Sequence, residues 1–472
     1  MLAGTLLIGI AAGCGSALAR TSPGDRPEPG LQGQTLPGEA KVLAVPYSKG
    51  VRVIGHSPIM NRDANLQLAW AGRCAYVSST SPNFLGWGVT TDPAAFGVAV
   101  IDVSNPAAPR QVKLLRDRGS LYASETLHAV EASDRKVLAA GSYGAKDDEA
   151  YTDLYDVSDC ANPKHVAEIK WPESVHTLTL SPNGKRLYGT KIDPFNGKGA
   201  IIVFDISDLA RPRLMGKFAA TRPDGTSYEF APHELSISPD ERRLYVGVIA
   251  STEGDLARRP GAKFPTVETF GPDAGGVLIL DSSDLVDGKP DPKLRIVGAA
   301  PKAGWHSVMR ANIGGVPYLV GGGELGACPG AWPRITNIAD DRKPIVAGEF
   351  RLAMNRAENC PVQTAMEKAS SGAVGAPGTA ALHFNDVDRA DHTRLGLFNF
   401  MWAGLRIVDL RDPANPSEIA YFKPGDACTG HVRYLPQSGQ IWSVCGASGF
   451  YVLELKPNVR ASLDRRIRRR AN

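Results

Sequence analysis

The chain has 472 residues, 43% of them hydrophobic and 22% charged, which is the balance of a globular protein with a sizeable core rather than of a disordered chain. Its 50 glycines and 35 prolines are typical of many short strands joined by turns, so long helices are not expected to dominate. The net charge of +4 excludes a broad basic surface for nucleic acid, because six arginines and one aspartate follow residue 457 and the rest is close to neutral.

Residues 1–19 have the pattern of a signal peptide or lipoprotein signal, because the apolar run 2–12 is too short to span a bilayer and ends in small residues. Two processing sites are open. Gly13-Cys14 resembles a lipobox, in which Cys14 is lipidated, whereas Ala17-Leu18-Ala19 fits ordinary cleavage without a lipid. Either site predicts an exported protein that is periplasmic, secreted or held at the outer face of the membrane as a lipoprotein.

The segments that flank the central part of the chain are expected to lack fixed structure. Residues 20–40 are rich in Pro and Gly, which predicts a flexible linker, and the arginine-rich residues 458–472 predict a basic disordered tail. The folded body is therefore expected over residues 41–457.

One phrase recurs through this body: an apolar triplet, an acidic residue, then Ser or a similar residue. Alternating apolar residues make a strand, and the Asp and Ser side chains can bond backbone N–H groups where that strand ends. Five copies and two degenerate ones begin at Val100, Leu154, Val203, Ile279, Ile407, Ile335 and Val452. A further strand follows most copies, and a hairpin precedes each one. Four strands per unit, repeated seven times, predict an all-β seven-bladed β-propeller of four-stranded blades.

The ring is expected to be closed by an N-terminal strand. The last unit lacks a fourth strand after Leu455, and residues 51–55 look like a spare outer strand ahead of the first unit. Pairing the two removes an open edge that would otherwise invite aggregation.

The phrase Leu405-Arg406-Ile407-Val408-Asp409, followed by Pro413, resembles the LVIVD repeat of secreted bacterial propeller proteins. The likeness covers about residues 41–457. It implies the propeller fold and no particular substrate, because this family has no single assigned reaction and propellers host many functions.

Residues 323–381 are expected to interrupt the repeat as an insertion that forms a lid or cap over one face. Apart from Cys14, the chain has an even number of cysteines, which suits an oxidising compartment. The natural pairs are Cys74 with Cys160, Cys328 with Cys360, and Cys428 with Cys445.

Six of the nine histidines stand at one place in the repeat, at the start of the upstream hairpin, and Asn65 takes this place in the first unit. If these hairpins carry the innermost strands, the imidazoles face one another at one depth of the channel. The six are His128, His176, His233, His306, His383 and His431. Imidazole binds zinc, copper or iron, so we expect a transition-metal site.

Neighbouring residues complete this hypothesis. Glu125, Glu173 and Glu234 are candidates for proton transfer, while Asn65 and Trp305 are candidates to contact a substrate. Two alternatives remain open at this point. The histidines can be struts that bond the backbone of neighbouring blades, or they can form an acid–base site without metal.

The sequence thus predicts an exported propeller and, as the first hypothesis, a metal-dependent enzyme that acts on a small molecule, with oxidase, hydrolase and lyase all left open. An architectural resemblance to the selenium-binding methanethiol oxidases, which also place histidines in a propeller channel, implies a copper or iron oxidase. The alternative is a cell-surface scaffold that binds a protein or glycan, with structural histidines. A monomer is expected, with a lipid anchor only if Cys14 is acylated.

Overall fold

The seven repeat phrases form the third strands of seven four-stranded sheets in a computed structural model of the chain. The structure describes residues 24–32, 46–62, 64–80, 92–144, 146–193, 196–251, 275–301, 305–324, 332–362 and 380–470. The innermost strands of the first six sheets contact one another in succession, and the seventh sheet contacts the innermost strand of the first. The predicted all-β seven-bladed propeller is therefore confirmed.

The strands run from the channel outward in each blade. Two strands precede the blades: β1 (Tyr47–Lys49) and β2 (Val51–Ser57). Blade 1 consists of β3 (Asn65–Ala71), β4 (Cys74–Ser79), β5 (Val98–Asp102) and β6 (Arg110–Leu115). Blade 2 consists of β7 (Leu127–Glu131), β8 (Lys136–Gly141), β9 (Tyr151–Asp156) and β10 (Lys164–Lys170). Blade 3 consists of β11 (Thr177–Leu180), β12 (Arg186–Asp193), β13 (Lys198–Asp205) and β14 (Arg213–Phe218).

Blade 4 has two short additional strands on its outer side. These are β15 (Ala220–Thr221) and β16 (Ser227–Tyr228), which extend the sheet of β17 (Ala231–Ile237), β18 (Arg243–Ala250), β19 (Gly276–Asp281) and β20 (Leu294–Pro301). Blade 5 consists of β21 (Ser307–Ile313), β22 (Val316–Gly322), β23 (Pro333–Asn337) and β24 (Ile345–Glu349). Blade 6 consists of β25 (Asn385–Val387), β26 (Leu395–Asn399), β27 (Leu405–Asp409) and β28 (Ser417–Lys423), with β1 at its outer edge. Blade 7 has β29 (Arg433–Leu435), β30 (Gln440–Cys445) and β31 (Gly449–Leu455).

Helical structure is sparse. The described α-helices are α1 (Ser283–Val286) and α2 (Pro457–Arg470), and short 3-10 turns occur at Ile59–Asn61, Pro93–Ala95, Asp147–Glu149, Ala353–Asn355 and Ala357–Asn359. None of the described helices has the length and apolarity that crossing a membrane requires.

The strand ends follow the predicted local chemistry. The Oδ1 atom of Asp102 accepts hydrogen bonds from the backbone N–H and the hydroxyl of Ser104 at 2.9 and 2.5 Å, and Asp156 binds Ser158 in the same way. Asp205, Asp281, Asp409 and Asn337 each accept a hydrogen bond from the N–H two residues later. The acidic or amide side chain thus ends the third strand in six blades.

Strand β2 supplies the missing fourth strand of blade 7, where it pairs antiparallel with β31. Closure by an N-terminal strand is therefore confirmed. Gly55 of β2 lies so close to blade 1 that an added Cβ would be 2.1 Å from the carbonyl oxygen of Pro106. Gly298 meets Asp341 of blade 5, and Gly348 meets Pro413 of blade 6, at the same 2.1 Å. Blades 7 and 1 therefore pack as consecutive blades do.

Residues 24–32, inside the segment predicted as a flexible linker, pack against blade 6. The carboxylate of Glu28 binds the guanidinium of the fully buried Arg406 at 2.6 and 2.8 Å. The Nζ atom of Lys423 donates to the carbonyl of Gln32 at 2.6 Å, and Lys456 pairs with Asp25. Because the charged partners lie in the blade, the packed domain includes residues before position 41.

The predicted disordered tail instead begins as helix α2, because its first turns carry two apolar side chains one helical turn apart. Val459 and Leu463 are buried against blades 6 and 7, next to Leu395 and Leu455. The predicted insertion 323–381 also contains regular structure, since β23 and β24 of blade 5 lie within it.

Two predicted disulfides are present, Cys74–Cys160 between blades 1 and 2 and Cys428–Cys445 beside the channel. Cys360 is disulfide-bonded, while its predicted partner Cys328 lies outside the described residues, as does Cys14. Disulfides fit an oxidising compartment and hence an exported protein.

Candidate metal centre

Four of the predicted histidines line one end of the channel, where the innermost strands begin. His176 and His306 directly precede β11 and β21, His383 lies two residues before β25, and His233 lies within β17. The backbone N–H groups of His176, His306 and His383 donate to the second strands of their own blades, at Thr190, Gly322 and Asn399. The start of the hairpin ladder therefore holds these side chains at a common height.

The four imidazoles follow one another around the channel. The ring centroids are 4.5 Å apart for His176 and His233, 3.7 Å for His233 and His306, and 4.4 Å for His306 and His383. The Nε2 atoms of His176 and His233 are 2.8 Å apart. His233, His306 and His383 are fully buried, whereas the side chain of His176 is 23% exposed and marks the open side.

Two buried carboxylates face these imidazoles. Oε2 of Glu125 lies 3.3 Å from Nε2 of His233, 3.5 Å from that of His306 and 3.8 Å from that of His176. Oε1 of Glu125 lies 3.7 Å from Nε2 of His383. Glu324 lies 3.6 Å from His306 and 3.4 Å from His383. Three sets, each of two imidazoles and one carboxylate, bring their ligand atoms within 4.8 Å of one another: Glu125 with His176 and His233, Glu125 with His306 and His383, and Glu324 with His233 and His306.

The electrostatics favour neutral imidazoles at His176 and His306 beside an ionised carboxylate at Glu125. Burial lowers the pKa of His176 to about 3 and that of His306 to about 4. Burial acts to raise the pKa of Glu125, but the surrounding imidazoles, His233 first, hold that pKa well below its usual value. Burial opposes protonation of His383 too, yet Glu324 raises its pKa. Neutral imidazole and ionised carboxylate are the forms that bind metal ions.

A hydrogen bond to the backbone fixes the imidazole ring of His383, whereas the ring of His306 has no such bond within the described residues. Nδ1 of His383 bonds the carbonyl oxygen of Thr429 at 2.9 Å, so Nδ1 carries a proton and Nε2 presents its lone pair to the channel. Neither ring nitrogen of the buried His306 meets hydrogen-bond geometry with any described residue. Buried polar atoms without a partner are uncommon and call for an ion or a water molecule.

The other two predicted histidines lie in a second group, deeper in the channel. Nε2 of His431 is 2.7 Å from Oε1 of Glu234, and its Nδ1 is 3.0 Å from Oδ2 of Asp386. Burial first, and then His431, lower the pKa of His128 to about 4, while Glu234 opposes this shift, so both residues lie near that ring. The ring of Phe384 separates the two groups, since its centroid is 4.6 Å from that of His306 and 4.7 Å from that of His431. The six imidazoles therefore do not lie at one depth, as was expected. Four lie above Phe384 and two lie below it.

Comparison with known families agrees with the repeat. The LVIVD repeat family matches residues 94–114, 196–220 and 400–423, which contain the third strands of blades 1, 3 and 6. This chain is an LVIVD-repeat β-propeller. No curated protein matches it.

Among solved structures, the LVIVD-repeat propeller is similar to Kuenenia stuttgartiensis hydrazine synthase, with 12% identity and a TM-score of 0.48 over 83% of this chain and 95% of that one. It is also similar to a chain in a mitotic checkpoint complex structure, with 10% identity and a TM-score of 0.49 over 87% of this chain and 96% of that one.

The propeller places the three predicted acidic residues in different environments. Glu125 lies among the four imidazoles, and Glu234 lies in the second group with His431. Glu173 lies at neither place, because its carboxylate pairs with Lys217 and approaches Lys191 at 3.8 Å near the surface.

The two predicted substrate contacts have structural partners in the propeller. The side chain of Asn65 accepts from the buried Arg62 and donates to the carbonyl of Gly446, which ties blade 1 to blade 7. Trp305 is buried in an apolar cluster with Tyr245, Val308 and Leu319, between blades 4 and 5.

Sequence reasoning missed four residues of the two groups, namely Tyr143, Glu324, Phe384 and Asp386. The hydroxyl of Tyr143 is 3.4 Å from both Glu125 and His176 at the open side. Phe384 and Asp386 follow His383 closely. Because side chains on a strand alternate between its two faces, the position of Asp386 in β25 was a usable signal for that residue. Glu324 follows a glycine-rich strand end that resembles a turn, and it carried no such signal.

Proposed function

We propose that this propeller is a metal-dependent enzyme that holds one transition-metal ion among His176, His233, His306 and His383 and acts there on a small molecule. The observation that carries the proposal is the convergence of four imidazoles and two carboxylates in a buried site. Metal sites are built in this way from neutral imidazole and ionised carboxylate groups.

The bonding of the histidines disfavours the strut interpretation. A strut would bond the neighbouring blade through its ring nitrogens, as His383 does through Nδ1. Nδ1 of His233 and both nitrogens of His306 make no such bond within the described residues. The Nε2 atoms that face the carboxylates are instead available as ligands.

The donor set favours iron over zinc. Structural zinc takes four ligands and catalytic zinc about three protein ligands, whereas six nitrogen and oxygen donors surround this position. Each of the three sets offers two imidazoles and one carboxylate, and an ion held by one set alone would keep open positions, as in the ligand set of non-haem iron oxygenases. Of the three reaction classes expected from the sequence, oxidation of a small molecule is therefore the one that this ligand set supports best. Copper shares the preference for imidazole, and zinc would direct the same site towards hydrolysis.

Access to the site is from the face where the innermost strands begin. His176, Tyr143 and Glu324 lie at this opening. The long connections 80–97, 251–275, 323–332 and 350–384 start and end on the same face, because each joins a strand that ends there to one that begins there. Loops of variable length on a rigid scaffold are the usual carriers of specificity. Glu324 and Tyr143 can hold or transfer a proton between solvent and a bound substrate.

Export and lipidation belong to the same proposal. The disulfides suit an oxidising compartment, and acylation at Cys14 would keep the monomeric enzyme at the outer face of the membrane, whereas cleavage after Ala19 would release it.

Elemental analysis of the exported protein, purified without a His tag or added metal, tests the proposal. We expect close to one metal ion per chain in the natural protein and a loss of at least about ten-fold in His233→Gln/His306→Gln. The matched control is His56→Gln/His392→Gln, which removes two exposed histidines and should keep the metal. Natural protein that lacks metal and takes up neither iron, copper nor zinc would overturn the proposal and favour the cell-surface scaffold.

A further inference from the structure

A cavity of about 250 Å³ occupies the channel below Phe384, on the side away from the metal centre. Its walls are mostly apolar and include Leu68, Leu127, Leu235 and Met309. Its titratable residues form one group, His128, Glu234, Asp386 and His431, and Thr179 and Ser236 add two hydroxyl groups to the lining. Small-molecule sites combine an apolar wall with a few placed polar groups in this way.

The cavity is distinct from the metal centre. Phe384 is buried, and its ring contacts the imidazoles of His306 above and His431 below. A molecule in the cavity would therefore contact the second polar group and would not reach the four imidazoles.

The second polar group is not arranged to bind a metal ion. Both ring nitrogens of His431 already face carboxylates, with Glu234 on one edge and Asp386 on the other. In the described part of the chain, these four residues do not bring three ligand atoms together. An organic ligand fits this geometry better than an ion.

The hydrogen-bonding groups suit a hydroxyl. Nδ1 of His128 accepts the backbone N–H of Leu180 at 3.3 Å, so the proton of the neutral ring is on Nε2 and is available to donate. The carboxylate of Asp386 lines the same cavity and can accept. A hydroxyl group both accepts and donates, so it suits a cavity whose lining offers the His128 donor and a carboxylate acceptor.

The surrounding charges disfavour an ionic ligand. Glu234 and Asp386 carry two negative charges against the one positive charge of His431 between them, so the polar group would repel an anion. The outer part of the channel is lined by three arginines and two aspartates, and this excess of one positive charge opposes the entry of a cation; the five are Arg310, Arg389, Arg433, Asp386 and Asp388.

We propose that this cavity binds a small, uncharged molecule with an apolar body and one hydroxyl group, such as a phenol or a short alcohol. The inference does not depend on the metal centre, because it uses His128 and His431, which are not among the proposed metal ligands.

Calorimetric titration with p-cresol tests this inference, with benzylamine and benzoate as cationic and anionic analogues of similar size. We expect saturable one-to-one binding of p-cresol to the full protein, with at least about ten-fold weaker binding of both ions. Met309→Trp should fill the cavity and weaken p-cresol binding at least about ten-fold, while Met309→Leu keeps the volume and the affinity. His128→Phe should weaken it about ten-fold by removing the donor.

Metal content, measured on the same samples, separates this inference from the proposed enzyme, since all three variants should keep their metal. Absence of p-cresol binding, tighter binding of either ion, or equal affinity in Met309→Trp would overturn the inference whatever the metal content.

Discussion

The carbonyl oxygen of Thr429 accepts the Nδ1–H of His383 at 2.9 Å and also the backbone N–H of Phe384 at 3.3 Å. Thr429 directly follows Cys428, which is disulfide-bonded to Cys445 beside the channel. The disulfide therefore holds in place the carbonyl group that orients His383, one of the proposed metal ligands, and Phe384, whose ring divides the channel.

Removal of this disulfide should lower metal affinity. In Cys428→Ser/Cys445→Ser, the Thr429 carbonyl is held less firmly and His383 loses its fixed orientation, so affinity should fall by about 10- to 100-fold, as for other groups that orient ligands. Competition with a chelator measures this change.

The matched control is Cys74→Ser/Cys160→Ser, which opens the bridge between blades 1 and 2 far from the metal ligands. Both variants should lower the free energy of unfolding by about 2–5 kcal/mol, since each loses one cross-link. Equal metal affinity in the two variants would mean that the Cys428–Cys445 bridge has no orienting role.

The pair of carboxylates around His431 predicts a pH dependence of stability. Burial acts against protonation of His431, but Glu234 and Asp386 raise its pKa well above 6.5. A raised pKa stabilises the fold fully below the unfolded value of about 6.5, and this contribution is lost as the pH rises through the folded value. Each unit of increase corresponds to about 1.4 kcal/mol.

Urea unfolding between pH 6 and pH 9 checks this prediction. The natural protein should lose more stability over this range than His431→Gln, in which no charge is titrated at this position. The nearby ring of His128 contributes with the opposite sign, because burial lowers its pKa to about 4 and stability then rises with pH up to the unfolded value of about 6.5. Parallel pH profiles for the two proteins would contradict the prediction.

The fold was predictable because its signals are local. The Asp and Ser pairs that end the third strands act within three residues, as Asp102 and Ser104 do, and the unpaired last blade called for a spare strand. The packing of residues 24–32 was not predictable, because the partner of Glu28 is Arg406, far away in the sequence. A buried ion pair of this kind leaves no periodic pattern.

The depth of the histidines depends on the register of each hairpin, which similarity of position in the repeat did not reveal. In blade 2 the ladder continues to a bond between Ala132 and Arg135, whereas in blade 3 the corresponding bond joins Ser181 and Arg186 across a longer turn. The tighter turn extends the inner strand of blade 2, so His128 lies deeper in the channel. Glu125, three positions earlier, then lies at the depth where a histidine was expected. The length of this turn is thus the reason why a carboxylate stands where the sequence predicted a histidine.

The N-terminal segment should contribute to stability through its buried ion pair. Glu28→Gln removes the charge that faces the fully buried Arg406, with Glu418 as its remaining partner at 3.3 Å. Loss of one member of a buried pair costs about 3–5 kcal/mol, and the partial compensation by Glu418 places the expected loss near the lower end. Urea unfolding measures it. Asp208→Asn, which breaks the exposed pair with Arg211, should leave the stability nearly unchanged.

The contact of outer-strand glycines with the next blade makes a final prediction about how the ring is assembled. A Cβ at Gly348 would lie 2.1 Å from the carbonyl oxygen of Pro413, and one at Gly55 would lie equally close to Pro106. Because the obstacle is backbone, blades must separate to admit a methyl group, so Gly348→Ala and Gly55→Ala should each cost about 1–3 kcal/mol. Gly446→Ala is the control, since its Cβ would be 3.7 Å or more from its neighbours. If β2 closes the ring as an ordinary blade strand, the Gly55 and Gly348 variants lose similar stability in thermal unfolding; a Gly55 variant as stable as the control would show that the joint between blades 7 and 1 is looser than the others.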